Sequence, residues 1–353
     1  DHRDLHSFPT RRSSDLISTF KGVVARHAFK TAVFDQGKEI TYHELDQLSD
    51  ALASHLTNGL GLRKGDVALI ELDRSYYYVV AVLAALKAGV TYVPIDPSWP
   101  ELRKNRIRWK VHPKAILTES SLQKEGEASG VATVNLNLEL DNLEQVSFDY
   151  IQENTTAYIL FTSGSTGEPK GCIISQQNLS QYVFWANDAY FNTRGNLHLP
   201  FFTSIAFDFT ITSILCPLTI GGSLTAFSSE QAIDATFKEI FSEPGKFNAI
   251  KLTPSHVQVL KSMDLDLSGL ETAIFGGEAL KPHQVTLFRD YNNQVHLYNE
   301  YGPTEATVGC IVHKIADDFD ADVVPIGRPI GGTYAVLLDE QGQIGRASCR
   351  ERV

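Results

Sequence analysis

Positive charge is in short supply. Of 353 residues, 31 are Lys or Arg against 42 Asp or Glu, a formal charge of −11. That balance argues against nucleic acid as a partner. Cysteine is scarce too. Only four are present, and Cys172, Cys216 and Cys310 are scattered without metal-ligand or disulfide-like spacing. This argues against a disulfide scaffold, and a reducing, cytoplasmic compartment is the simplest expectation. Long apolar runs are missing. Tyr76–Leu86 is cut by Lys87 and Gly89, which is too short to span a membrane. There is no internal repeat and no low-complexity tract. What is there, 43% hydrophobic and 21% charged residues, is the make-up of an ordinary globular protein.

The two ends differ from the rest. His6–Asp15 reads HSFPTRRSSD and Ile344–Val353 reads IGRASCRERV. The codons CAC TCT TTC CCT ACA CGA CGC TCT TCC GAT encode the first, and their reverse complement encodes the second. Both segments resemble translated sequencing-library adapter. A transit peptide would be acid-poor, yet the leader carries Asp1, Asp4 and Asp15. The expected organisation is a non-native leader over 1–16, a native core over 17–343 and a non-native tail over 344–353. The leader is balanced in charge and the tail carries +2, which leaves −13 on the core.

Along the core, apolar runs alternate with helical periodicity. Thr41 and Glu44 form a capping-box pattern ahead of Leu45, Leu48, Leu52 and Leu56. Val67–Ile70 predicts a strand, Tyr77–Ala88 a helix ended by Gly89, and Tyr92–Ile95 and Ala115–Thr118 two more strands. Residues 119–152 read as a polar loop with one weak strand. Further strands are expected at Leu197–Phe201, Leu224–Phe227, Asn248–Thr253, Thr272–Phe275, Val295–Tyr301 and Tyr334–Leu338, with helices at Asn178–Tyr190 and after Gly276-Gly277. This is the rhythm of an α/β fold with largely parallel sheets. In such folds ligands sit outside the carboxyl ends of strands. The turns at Gly276 and Tyr301 are therefore expected to converge with the most distinctive stretch, Tyr158–Ile174, YILFTSGSTGEPKGCII.

That stretch predicts a hairpin with a phosphate loop at its tip. Gly164 and Gly167 let the backbone approach an anion. Thr162, Ser163, Ser165 and Thr166 add hydroxyl donors and Lys170 adds charge. The spacing is not that of a P-loop, whose Lys precedes Ser or Thr at a helix start.

Six segments in this order, TYHEL, LKAGVTYVPID, FTSGSTGEPKG, FDFT, FGGEAL and NEYGPTE, resemble the adenylate-forming superfamily. They most resemble the amino-acid adenylation domains of nonribosomal peptide synthetases. The resemblance covers 17–343 and implies an N-terminal core of layered, mostly parallel sheets plus a smaller β-barrel-like subdomain. It implies activation of an amino acid by ATP and Mg²⁺ as aminoacyl-AMP. The product would pass to a peptidyl carrier protein domain, beside a condensation domain of the same synthetase. Thr162–Gly167 and Lys170 would hold the β- and γ-phosphates. Tyr301 would stack on adenine against Gly276, Gly277 and Glu278, with Asn299 reading the base edge. Gly302 would belong to the same ATP-binding set, Thr304 would contact the α-phosphate, and Glu305 would ligate Mg²⁺. Taken singly, Tyr301 reads better as a core tyrosine at a strand end and Glu305 as a solvent-facing helix N-terminal carboxylate; the two motifs together favour the functional roles.

Asp208 separates the classes. In SIAFDFTITSI a carboxylate is costly unless paired. By resemblance it pairs the α-ammonium of an amino acid, which acyl- or aryl-CoA ligases have no need to bind; read alone it is a helix N-cap. The implied pocket is Asp208, Phe209, Thr212, Lys251, Ile274, Gly276, Glu300, Val308 and Gly309. Lys251 and Glu300 lie where apolar residues are the norm. A carboxamide between them would satisfy both, so the expected substrate is asparagine, then aspartate, then glutamine. The alternative is that the two bridge each other directly. The family's smaller C-terminal domain, with its catalytic lysine, is expected to lie beyond Gln343. The chain alone would then adenylate slowly or not at all. A non-catalytic nucleotide-binding module and an acyl-CoA ligase are the rival readings.

Overall fold

In the computed structural model, residues 15–119, 131–150, 154–163, 168–191 and 196–338 are described. Residues 1–14 of the expected leader (1–16) and the whole tail (344–353) lie outside them, as do Gly164, Ser165, Thr166 and Gly167. Elements run in the order α1 Leu16–His27, β1 Thr31–Asp35, β2 Lys38–Thr41, α2 Tyr42–Ser54, β3 Val67–Glu71, α3 Tyr76–Ala88, β4 Thr91–Pro94, α4 Glu101–Val111, β5 Ala115–Thr118, β6 Ala132–Asn135 and the short α5 Leu136–Glu139. Then come β7 Thr156–Ser163, β8 Pro169–Ser175, α6 Gln176–Tyr190, β9 His198–Phe201, α7 Ile211–Ile220, β10 Ser223–Ala226, α8 Ile233–Ile240 and β11 Ala249–Leu252. The chain closes with α9 Pro254–Lys261, β12 Thr272–Gly276, α10 Pro282–Tyr291, β13 His296–Tyr301, β14 Ile311–Ile315 and β15 Arg328–Pro329.

The strands form three open sheets with orders β6-β5-β3-β4-β7-β8, β2-β1-β10-β9 and β11-β12-β13-β14-β15. Most pairings are parallel; β1–β2, β7–β8, β13–β14 and β14–β15 are antiparallel. Among the described residues the barrel-like subdomain is represented by no separate sheet.

Local chemistry explains several elements. Both halves of the Thr41–Glu44 capping box are made at the start of α2. In α3 every residue but Tyr77 is buried, and Gly89 ends it in the left-handed conformation at φ 62°. Burying each of its Val and Leu side chains contributes about 1.5–3 kcal/mol. Lys87, fully buried in α3, is held by Asp46 and Asp50 of α2, each at 2.7 Å. Asp15 caps α1 by accepting from the N–H of Ile17, and Leu16 packs into the core.

Two expectations are corrected. Tyr334–Leu338 forms no strand. Its side chains are exposed, with Tyr334 at 88%, so the alternation there has no core to face. After Gly276-Gly277 the helix is delayed to Pro282, whose fixed φ suits a first helical position.

Candidate functional site

The hairpin is built as its sequence predicts. β7 and β8 pair antiparallel, with Thr162 opposite Lys170 and Ser163 opposite Pro169. Thr162 is half-buried and Lys170 is exposed at the mouth of the loop. The carbonyl of Pro169 accepts from Lys110 of α4 at 2.7 Å, which ties the hairpin to that helix. β8 also lies beside the single turn Thr304–Ala306. Cys172 of β8 has its thiol pushed up by burial first, then by the charges of Glu305 and Asp208. The strand that follows residues 164–167 therefore lies beside Thr304 and Glu305, with the charge of Asp208 within reach.

In the third sheet, Gly276 at the end of β12 pairs with Glu300 of β13. Tyr301 follows, 47% exposed, which removes the core-tyrosine reading and leaves its ring free to stack. Gly277 takes φ 82°, a glycine conformation. Glu278 accepts from the N–H of Ser255 at 3.1 Å and its Oγ at 2.6 Å, fastening this wall to the first turn of α9. Asn299 is buried, and its Nδ2 donates to the carbonyl of Pro325 at 2.9 Å. That tie has no signature in the sequence.

Asp208 opens a short turn leading into α7 and is 8% exposed. It does not cap that helix. Its Oδ2 accepts instead from the N–H of Val308 at 3.1 Å. Burial raises its carboxyl from the ordinary 3.8 to about 6, with the Val308 N–H and then Lys251 opposing the rise. Thr307 and Val308 both hold φ 63°. For β-branched residues this is a strained conformation, and such strain gathers at ligand sites. Gly302 makes the turn possible, because a Cβ there would lie 2.6 Å from the Val308 carbonyl oxygen.

Lys251 and Glu300 meet directly, Nζ to Oε2 at 2.5 Å, as in the direct-bridge alternative. Lys251 is fully buried and Glu300 is 4% exposed. Lys251 also donates to Thr212 Oγ1 at 2.8 Å and Tyr182 Oη at 3.2 Å, and its Nζ lies 4.6 Å from the Phe209 ring centroid. Oε1 of Glu300 accepts from Tyr182 at 2.9 Å and Tyr190 at 2.7 Å. Gly309 leaves room for the Glu300 carboxyl, and Gly276 for the Phe209 ring. Ile274 is fully buried beside Lys251 in the sheet register. Tyr182 and Tyr190 were not among the sequence candidates. The signal was the cost of the ion pair itself, which demands polar partners from the facing helix.

For a divalent cation, no cluster of three or more His, Cys, Asp or Glu side chains exists among the described residues. Glu305, a lone exposed carboxylate, fits Mg²⁺, which keeps several waters and takes one or two carboxylates plus substrate phosphates. No described helix is long and apolar enough to cross a membrane.

A family model described as AMP-binding enzyme matches residues 20–347. Bacitracin synthase 3 of Bacillus licheniformis is 34% identical over 321 residues, covering 89% of this chain but 5% of the synthase. Among solved structures, holo-AB3403, a four-domain nonribosomal peptide synthetase bound to AMP and glycine, aligns with TM-score 0.81 and 26% identity, over 94% of this chain and 24% of that one. The N-terminal subdomain of Klebsiella oxytoca NpsA aligns with TM-score 0.82 and 21% identity, over 95% of this chain and 84% of that one. The last likeness speaks to fold alone.

Proposed function

Because the chain belongs to the AMP-binding family of adenylate-forming enzymes, we propose that it activates an amino acid as its aminoacyl adenylate for transfer to a carrier protein in nonribosomal peptide synthesis. The observation that carries this reading is Asp208, a nearly buried carboxylate with one oxygen held by Val308. A buried carboxylate calls for a cationic partner, and an α-ammonium supplies one. Fatty and aryl acids bring no such group, so the acyl-CoA ligase reading leaves Asp208 unexplained.

In this reading ATP lies between the β7–β8 hairpin and the β12–β13 strand ends. Thr162 and Lys170 hold its terminal phosphates, Tyr301 stacks on adenine, and Thr304 donates toward the α-phosphate. Mg²⁺ on Glu305 would offset charge on the phosphoryl oxygens. Asp208 orients the amino acid so that its carboxylate faces the α-phosphorus, which is catalysis by positioning. The substrate side chain points toward Thr212, Lys251 and Glu300, and asparagine is the favoured substrate. The test is equilibrium binding of non-hydrolysable acyl sulfamoyl-adenosines carrying amino, fatty or aryl acyl groups. Binding confined to aminoacyl members supports the reading. Equal or tighter binding of a fatty or aryl member contradicts it.

A further inference from the structure

The hydrogen bonds around Lys251 and Glu300 have a direction. Nζ of Lys251 has three protons and three partners: Glu300 Oε2 at 2.5 Å, Thr212 Oγ1 at 2.8 Å and Tyr182 Oη at 3.2 Å. Because Tyr182 donates its one proton to Glu300, its oxygen accepts in the 2.7 Å contact with Thr212, whose hydroxyl donates there while accepting from Lys251. Tyr182 then gives its proton to Glu300 Oε1 at 2.9 Å, and Tyr190 gives its proton to the same oxygen at 2.7 Å. Both phenols are protonated donors, since burial first and the Glu300 carboxylate next push them up. The circuit from Lys251 through Thr212 and Tyr182 to Glu300 uses each proton once.

What stays free in this circuit is accepting capacity, on Glu300 Oε2 and on the Tyr190 oxygen. Every proton of Lys251 is engaged. A substrate side chain reaching this floor must therefore bring a donor. A carboxamide brings two. A carboxylate brings none, adds a negative charge beside Glu300 and finds no free cation.

We propose that Tyr182 and Tyr190 are specificity-determining positioning residues: they lock the Lys251–Glu300 floor into a hydrogen-bond acceptor, so that the site selects a carboxamide and rejects a carboxylate. The two tyrosines differ in what their loss does. Removing the Tyr182 hydroxyl frees one Lys251 proton and opens a place for a carboxylate. Removing the Tyr190 hydroxyl frees only a lone pair on Glu300 and leaves Lys251 fully engaged.

The inference rests on the amino-acid reading above. The test is calorimetric binding of asparaginyl and aspartyl sulfamoyl-adenosine to the full chain and to Tyr182→Phe and Tyr190→Phe. The wild type is expected to prefer the asparaginyl compound. In Tyr182→Phe the preference falls by about tenfold, the scale of one hydrogen bond to a charged group. In Tyr190→Phe it is kept or increased. Thr212→Val breaks the same circuit one bond earlier and is expected to follow Tyr182→Phe, which covers the case of a Tyr182 variant that does not fold. An unchanged preference in Tyr182→Phe, or equal losses in both tyrosine variants, overturns the proposal, because equal loss is what a merely structural role produces. A wild type that binds both compounds without preference overturns it while leaving the amino-acid reading in place. A wild type that binds neither overturns it as well, and the panel of aminoacyl, fatty and aryl compounds then decides the amino-acid reading.

Discussion

Oδ2 of Asp208 accepts a hydrogen bond at 3.1 Å from the N–H of Val308, a residue held at φ 63°. One strained turn thus presents both the Asp208 partner and, through Gly309, the space that Glu300 occupies. Strain of this kind costs about 1–3 kcal/mol per residue and persists where surrounding contacts over-determine it.

The carboxyl of Asp208 stands at about 6, above its ordinary 3.8, because burial disfavours the charged form. A raised carboxyl is a stability cost above about 6, and that cost is relieved as pH falls from about 6 toward 3.8. Asp208→Asn keeps an oxygen for Val308 and removes the charge. The variant should melt higher than wild type at pH 8, with the gap narrowing below about pH 6 and closing only as pH nears 3.8. Ligand binding runs the other way: amino-acid affinity of the wild type falls as pH drops through about 6. A melting difference independent of pH contradicts this account of Asp208.

Lys251→Ala leaves the Glu300 carboxylate buried without its cation, while Tyr182 and Tyr190 still donate to it. Breaking one side of a buried pair costs about 3–5 kcal/mol. Denaturant unfolding should show a loss of that order. The double variant Lys251→Met with Glu300→Leu should lose less than either single change. A double variant at least as damaged as the sum of the singles would show that the pair is not a coupled unit.

At Gly302 any side chain meets the carbonyl of Val308 at 2.6 Å and the Cα of Gly309 at 2.7 Å. Gly302→Ala must push this turn away from Asp208. Overpacking of this kind costs about 1–3 kcal/mol. Thermal melting should fall accordingly, and aminoacyl sulfamoyl-adenosine binding should weaken more than ATP binding. Unchanged melting and binding would mean that the turn is not held as described.

Features carried by local chemistry were legible in the sequence. The Thr41–Glu44 box, the Gly89 stop, the β7–β8 hairpin and the burial of Lys251 and Glu300 all follow from short-range pattern or from one polar residue in an apolar run. The division into three sheets was not legible, because it depends on which distant strands pair. Helix α4 went unread because only Lys104 and Ile107 of its eleven residues are buried, so its apolar period is faint. Tyr182 and Tyr190 were hidden for the opposite reason: on a helix that packs into the core, tyrosines pass for packing until their hydroxyls are placed. Asn299 was legible as buried but not as a partner of Pro325.

The central claim is that Asp208 makes this an amino-acid site. The direct measurement is the affinity of the chain for asparaginyl sulfamoyl-adenosine against its analogue lacking only the α-amino group. A lost charge-assisted contact is worth about 1.5–3 kcal/mol, so the amino compound should bind roughly tenfold to a hundredfold tighter, and Asp208→Asn should erase most of that difference. Equal affinity for the two compounds in the wild type would contradict the account.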